Sequence, residues 1–197
     1  MTFRLGLTGS IGMGKSTTAA LFADEGIPVW DADATVARLY APGGDAVKII
    51  ATLFPDVIDT GAVSRPKLRE KIAQDASILD RLQTVVHPLV ARDRASFLKS
   101  CRADIALLDI PLLYETGAED GCDAVVVVTA PPEVQRKRVM ARGEMTNAEF
   151  EMILSRQIPD AEKRARADYV IETTTLDDAR AAVRSICADI RGKLAHA

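Results

Sequence analysis

Gly9-Ser10-Ile11-Gly12-Met13-Gly14-Lys15-Ser16, followed by Thr17, spells out G-x-x-x-x-G-K-[ST]. In that pattern the glycines let the backbone wrap closely, so that successive N–H groups face phosphate oxygens, and a helix beginning at the lysine adds the partial positive charge of its N-terminus. Lys15 is spaced to reach the β- and γ-phosphates of a nucleotide, and Ser16 to offer a hydroxyl to Mg2+. The chemistry implied is capture of a magnesium nucleoside triphosphate by residues 9–17.

Binding alone leaves a switch, a motor and a kinase open, and the other reactive residues discriminate among them. The chain has a single asparagine, Asn147, with no lysine after it, so the N-K-x-D base-reading signature of GTPases is absent. Motors carry larger cores than 197 residues supply. A kinase needs a carboxylate near the acceptor hydroxyl, an acid in the metal shell, and arginines to cover the moving phosphoryl group. Asp31-Ala32-Asp33 offers the first: Asp33 to orient or deprotonate the hydroxyl, Asp31 to help hold metal or water, with a helix N-cap as the competing use of either. Asp109 ends an apolar run, where a metal-shell acid is expected. Pro111-Leu112-Leu113-Tyr114-Glu115 is suited to an acceptor pocket or to plain loop packing. Arg138 and Arg142, four apart, share a helix face, and Arg156 follows further on; a solvated charged surface is the competing reading. His87, before Pro88, either meets an acceptor phosphate or satisfies a helix end.

These residues need a scaffold that gathers them. Phe3 to Thr8, Ile27 to Trp30, Ile105 to Ile110, Ala124 to Thr129 and Tyr169 to Glu172 read as short, mostly apolar strands, as in a parallel sheet covered on both faces. Helical patterns lie between them: from Lys15, from Pro132, and from Thr175, which forms a capping pattern with Asp178, to about Leu194. This is βαβ architecture. Residues 32–100 hold no convincing strand and read as a helical insertion punctuated at Pro42-Gly43-Gly44, Phe54-Pro55-Asp56 and His87-Pro88. Residues 133–167 form a locally basic helical segment, a candidate lid. The nucleotide-binding core is then expected in 1–31, 101–132 and 168–197.

Composition narrows the setting. Twenty-eight acids against 25 bases give a net charge of −3, which argues against a nucleic-acid partner. No apolar run approaches the ~20 residues of a membrane span, and the first residues lack the basic start and apolar core of a signal peptide, so a cytoplasmic location is expected. Three cysteines without a CxxC pair and only two histidines disfavour a disulfide framework or a transition-metal site.

Taken in order, Leu7 to Ser16, Asp31-Ala32-Asp33, His87-Pro88, Asp109-Ile-Pro-Leu-Leu-Tyr-Glu115, Arg138, Arg142, Arg156-Gln157 and Ala167-Asp-Tyr-Val-Ile171 resemble the dephospho-CoA kinase family across nearly the whole chain. The resemblance implies a three-layer α/β P-loop NTPase fold with a five-stranded parallel sheet, a helical acceptor-binding insertion and a helical lid. It implies ATP-dependent phosphorylation of the ribose 3′-hydroxyl of dephospho-CoA, giving coenzyme A and ADP, by a monomer or weak homo-oligomer. Under it Asp33 is the catalytic base, with Lys15 and Arg142 completing the catalytic set and Arg138 joining the nucleotide site. Thr8, Asp31, Asp33, His87, Leu113, Tyr114 and Glu115 contact the acceptor, and Ser16 and Asp109 hold Mg2+. Glu172-Thr173-Thr174 departs from the family, which typically has an Asn-containing loop near the nucleotide base. A nucleoside or nucleotide kinase, and a slowly hydrolysing switch, are the rival readings.

Overall fold

A computed structural model of the chain describes residues 2–143 and 145–196. Seven strands run in chain order: β1 (Phe3–Thr8), β2 (Val29–Asp31), β3 (Ile58–Asp59), β4 (Ala62–Val63), β5 (Ile105–Asp109), β6 (Ala124–Thr129) and β7 (Tyr169–Glu172). The helices are α1 (Lys15–Asp24), α2 (Ala32–Tyr40), α3 (Asp45–Leu53), α4 (Arg65–Gln74), α5 (Ser77–Ser100), α6 (Pro132–Ala141), α7 (Asn147–Ser155), α8 (Asp160–Arg166) and α9 (Leu176–Ala195). The chain divides into two units, one of Met1–Trp30 with Cys101–Ala197, the other Asp31–Ser100.

The first unit is built on a parallel sheet in the order β2-β5-β1-β6-β7. Its registers pair Leu5 with Leu107 and with Ala124, and Val127 with Val170. Every residue of β5 and β6 is buried, which accounts for their mostly apolar composition. Leu5, Leu7, Leu107, Val126 and Ile171 pack with Phe22 of α1 and Val183, Ile186 and Ile190 of α9 into one core. Because β1 lies between β5 and β6, helices leave it for both sides, and the loops at its carboxyl end open where ligands collect in open α/β sheets. Segment 133–167 belongs to this same unit.

The second unit has its own core, centred on Ile50, Phe54, Val57, Leu82 and Leu89. Two features here depart from the sequence reading. Residues 58–63 form a small antiparallel hairpin, pairing Ile58 with Val63 and Asp59 with Ala62. Its turn is Thr60-Gly61, both at positive φ, the conformation that matches strand twist in a two-residue hairpin. Strands of two residues are too short to leave an alternating pattern. The expected break at His87-Pro88 also does not occur, for α5 runs through Pro88 for 24 residues. An interior proline removes one helix hydrogen bond and costs about 3 kcal/mol. Burial of the stripe Ile78, Leu82, Val86 and Leu89 against the unit's core offsets it.

Among the described residues no helix is long and apolar enough to cross a membrane.

Candidate active site

The loop after β1 is shaped by its glycines. Gly12 and Gly14 sit at φ +79° and +89°, and a Cβ at Gly12 would lie 2.6 Å from Val139 Cγ2. Within the loop Met13 N–H donates to Ser10 O at 3.1 Å. Gly14 caps α1 without any side-chain acceptor, so the first-turn amides of Lys15, Ser16 and Thr17 have no partner in the helix. Those amides, with the helix dipole behind them, form an anion receptor, and Ser16 and Thr17 are exposed beside it. Gly9 and Ser10 are buried at the loop's start.

Lys15 and Asp109 come together from separate elements. The ammonium lies 2.6 Å from Asp109 Oδ1, and the two side chains are 17% and 4% exposed. Such a buried carboxylate is costly without a cation, and Lys15 supplies it. The same pairing holds the lysine at the carboxyl end of the sheet, beside the loop.

A cavity of about 410 Å³ opens next to the loop. Gly12, Gly14 and Thr17 line one side, Arg138 and Arg142 a second, and Thr173 to Leu176 a third. Arg138 shares it with Arg142, which is the C-cap of α6. Arg138 donates to Thr173 Oγ1 at 2.9 Å and to Thr173 O. Thr173 Oγ1 in turn lies 2.8 Å from Met13 O and 3.2 Å from Thr129 O. One hydroxyl therefore joins the phosphate loop, the end of β6 and α6. The volume suits a drug-sized or nucleoside ligand.

Of the two uses open to the 111–115 loop, an acceptor pocket and loop packing, several of its contacts are those of packing. Thr8 is fully buried and donates to Pro111 O at 3.0 Å, and Leu113 is also fully buried. Tyr114 is buried beneath the Arg166 guanidinium, 4.2 Å from its ring centre. Burial pushes the Tyr114 phenol up to about 12, against the pull of Arg166. Glu115 Oε1 accepts Ile158 N–H at 3.0 Å and lies 2.7 Å from Lys163 Nζ, which is fully buried. Among the described residues the ammonium makes no directed hydrogen bond, so the contact is an ion pair. Burial raises the Glu115 carboxyl, but the Lys163 ammonium and Ile158 amide outweigh it and hold the group below its ordinary value. Leu113 and Tyr114 thus pack inward and Glu115 anchors segment 156–163, while Leu112 is left exposed.

In the second unit Asp31 caps α2, accepting Ala34 N–H at 2.9 Å, which is the capping alternative for that residue. Asp33 lies in the first turn of α2, is exposed, and has no hydrogen-bond or ion-pair partner among the described residues. His87 is exposed on α5 rather than at a helix end.

Gln135, which the sequence reading did not single out, and Gln157, which it named only within the Arg156-Gln157 pair of the family resemblance, touch the loop directly. Gln135 Nε2 donates to Ile11 O at 2.7 Å, and Gln157 Oε1 accepts Ile11 N–H at 3.2 Å. For Gln135 a signal existed: with Arg138 and Arg142 it forms an i, i+3, i+7 face.

Against known proteins, a family model described as dephospho-CoA kinase matches residues 3–178. Dephospho-CoA kinase of Cereibacter sphaeroides is 64% identical over 189 residues, covering 96% of each chain. That of Ruegeria pomeroyi is 58% identical over 197 residues, with both chains fully covered. The crystal structure of TT1252 from Thermus thermophilus superposes with a TM-score of 0.86 at 35% identity, covering 95% of this chain and 97% of that one. With the phosphate loop, its paired lysine and aspartate, and the arginine-lined cavity in place, these matches show that the chain belongs to the dephospho-CoA kinase family.

Proposed function

We propose that the chain transfers the γ-phosphoryl group of ATP to the ribose 3′-hydroxyl of dephospho-CoA, giving coenzyme A and ADP. The observation that carries this is a complete phosphate loop, residues 9–16, in a chain 58% identical along its full length to a dephospho-CoA kinase. Loop amides and Lys15 hold the β- and γ-phosphates, and the cavity beside Arg138, Arg142 and Thr173 takes the nucleoside. Asp33, exposed and unpartnered among the described residues, takes the proton of the attacking hydroxyl. A new O–P bond forms as the bond to the bridging oxygen breaks, and its electron pair leaves on ADP. Arg142, on the proposed 133–167 lid, neutralises charge on the moving group. Asp31 and His87 are assigned to binding of the acceptor.

Ser16 and Asp109 fit Mg2+ in their chemistry, a hydroxyl and a carboxylate being hard oxygen donors. A magnesium ion is commonly held by one or two such groups together with substrate phosphates. Ser16 and Asp109 would hold the ion, which would supply neutralisation of phosphate charge there. A cytoplasmic setting is part of this reading.

The test is ADP release by purified protein with Mg-ATP, comparing dephospho-CoA with AMP, CMP, UMP, adenosine and no acceptor. Turnover is expected with dephospho-CoA alone. Turnover with a mononucleotide instead overturns the acceptor assignment, and release indifferent to acceptor overturns the transferase reading.

A further inference from the structure

The Ile11 residue of the phosphate loop is held on both of its peptide groups, and both holders come from segment 133–167. Gln135, only 5% exposed, donates Nε2–H to Ile11 O at 2.7 Å. Gln157, half-buried, receives Ile11 N–H on Oε1 at 3.2 Å. Neither carboxamide can be reversed, since a backbone N–H only donates and a carbonyl only accepts. Each arm is itself fixed. Gln135 lies in the first turn of α6, with its N–H on Pro131 O at 2.9 Å. Gln157 precedes Ile158, whose N–H is taken by Glu115, the partner of buried Lys163.

We infer that Gln135 and Gln157 are positioning residues that aim the phosphate-binding amides through the Ile11 peptides. The reasoning is geometric. A trans peptide is planar with its C=O and N–H antiparallel. Pinning the Ile11 carbonyl toward Gln135 therefore turns the Gly12 N–H the opposite way. Gln157 meanwhile occupies the Ile11 N–H, so the loop's anion receptor starts at Gly12. The positive φ of Gly12 and the Ser10–Met13 turn complete the constraint. A receptor whose donors are oriented before the phosphates arrive spends less of its interaction energy on ordering itself. Because Gln135 and Gln157 bracket Arg138 and Arg142 along the chain, the loop is tied at two points to the arginine-bearing segment.

This rests on the loop binding nucleotide phosphates, as proposed above, but not on the identity of the acceptor. The experiment uses the full chain and no acceptor: equilibrium affinity for Mg-ADP and for adenosine in Gln157→Met, Gln135→Met and the double variant, with melting of each without nucleotide. Each single change is expected to weaken ADP binding about fivefold, the worth of one ordinary hydrogen bond. Adenosine affinity stays unchanged, and the Ile11 amide proton of Gln157→Met moves upfield. The double variant weakens ADP binding by less than the product of the singles, because both act through one residue. ADP affinity within twofold of the parent in both singles, an equal loss for adenosine, or losses that multiply would overturn the inference. Should the double variant not fold, the ADP and adenosine affinities of the singles decide. Failure of the parent to phosphorylate dephospho-CoA, with these affinities as expected, would sink the acceptor assignment and leave the positioning role standing.

Discussion

Replacing Lys163 by methionine offers a stringent check on how segment 156–163 is anchored. Lys163 is fully buried and its only charged partner among the described residues is Glu115, 13% exposed and 2.7 Å away. The substitution keeps the aliphatic stem and deletes the charge, leaving a carboxylate with one remaining partner, the Ile158 amide. Stranding one member of a buried pair costs about 3–5 kcal/mol. In a domain of this size about 1 kcal/mol lowers Tm by about 2–4 °C, so a drop of about 6–20 °C is expected at neutral pH. The pH dependence gives a second handle. In the parent, Glu115 is held below its ordinary value of 4.5, so its stabilisation is present at neutral pH and is lost only as pH falls through that lowered value. In the variant burial acts on Glu115 without the opposing ammonium, its folded value rises above the unfolded one, and the penalty is relieved as pH falls. The Tm gap between parent and variant therefore narrows from about pH 7 to about pH 5. Calorimetry at the two pH values measures it, and adding Glu115→Leu restores most of the loss by removing the stranded charge. A single variant melting within about 2 °C of the parent at neutral pH, or a double variant no better than the single, would refute the reasoning.

Asp33→Asn is expected to lower kcat about 100-fold or more with little change in ATP affinity, as removal of a general base does; steady-state kinetics that show unchanged turnover remove Asp33 from that role. Arg142→Ala is expected to slow transfer by about 100-fold, the scale of one transition-state contact. A rise confined to the KM for ATP would make Arg142 a ground-state binder instead. Gly12→Ala forces a left-handed φ on a residue with Cβ, about 1–2 kcal/mol, and crowds Val139 at 2.6 Å. Nucleotide titration is expected to show ATP binding lost out of proportion to the fall in Tm, and a wild-type affinity would contradict the description of the loop.

What the sequence made legible follows from how local each signal is. The phosphate loop, the five strands of the sheet and the capped start of α9 rest on contiguous patterns, and each is found within about two residues of its expected place. Asp31 as a cap was one of two readings that its position before a helix allowed. The hairpin at 58–63 left no alternation, and the continuation of α5 through Pro88 depends on a buried stripe whose value is tertiary. The same holds at the site. Pairing of Lys15 with Asp109 joins residues 94 apart, and Lys163 with Glu115 joins two segments that each read as surface or pocket. The i, i+3, i+7 face could have marked Gln135 and the Arg156-Gln157 pair did mark Gln157, but that both meet Ile11 is visible only in three dimensions.

The sheet's outermost strands, β2 with three residues and β7 with four, are its shortest. An open sheet edge is a template on which another chain can add a strand, and the number of free backbone groups it offers grows with its length. At about 3.3 Å per residue β7 presents an edge of roughly 13 Å, with only every second residue's backbone groups pointing outward. Beside it, Lys193 and Asp189 bracket Tyr169, so an approaching strand would have to displace or bury charge. The longer strands β5, β1 and β6, the middle one leading into the phosphate loop, are kept in the interior of the sheet, where no second copy can pair with them. A fold whose central strands are aggregation-prone by composition is thereby protected from edge-to-edge growth by the brevity of the strands at its margins.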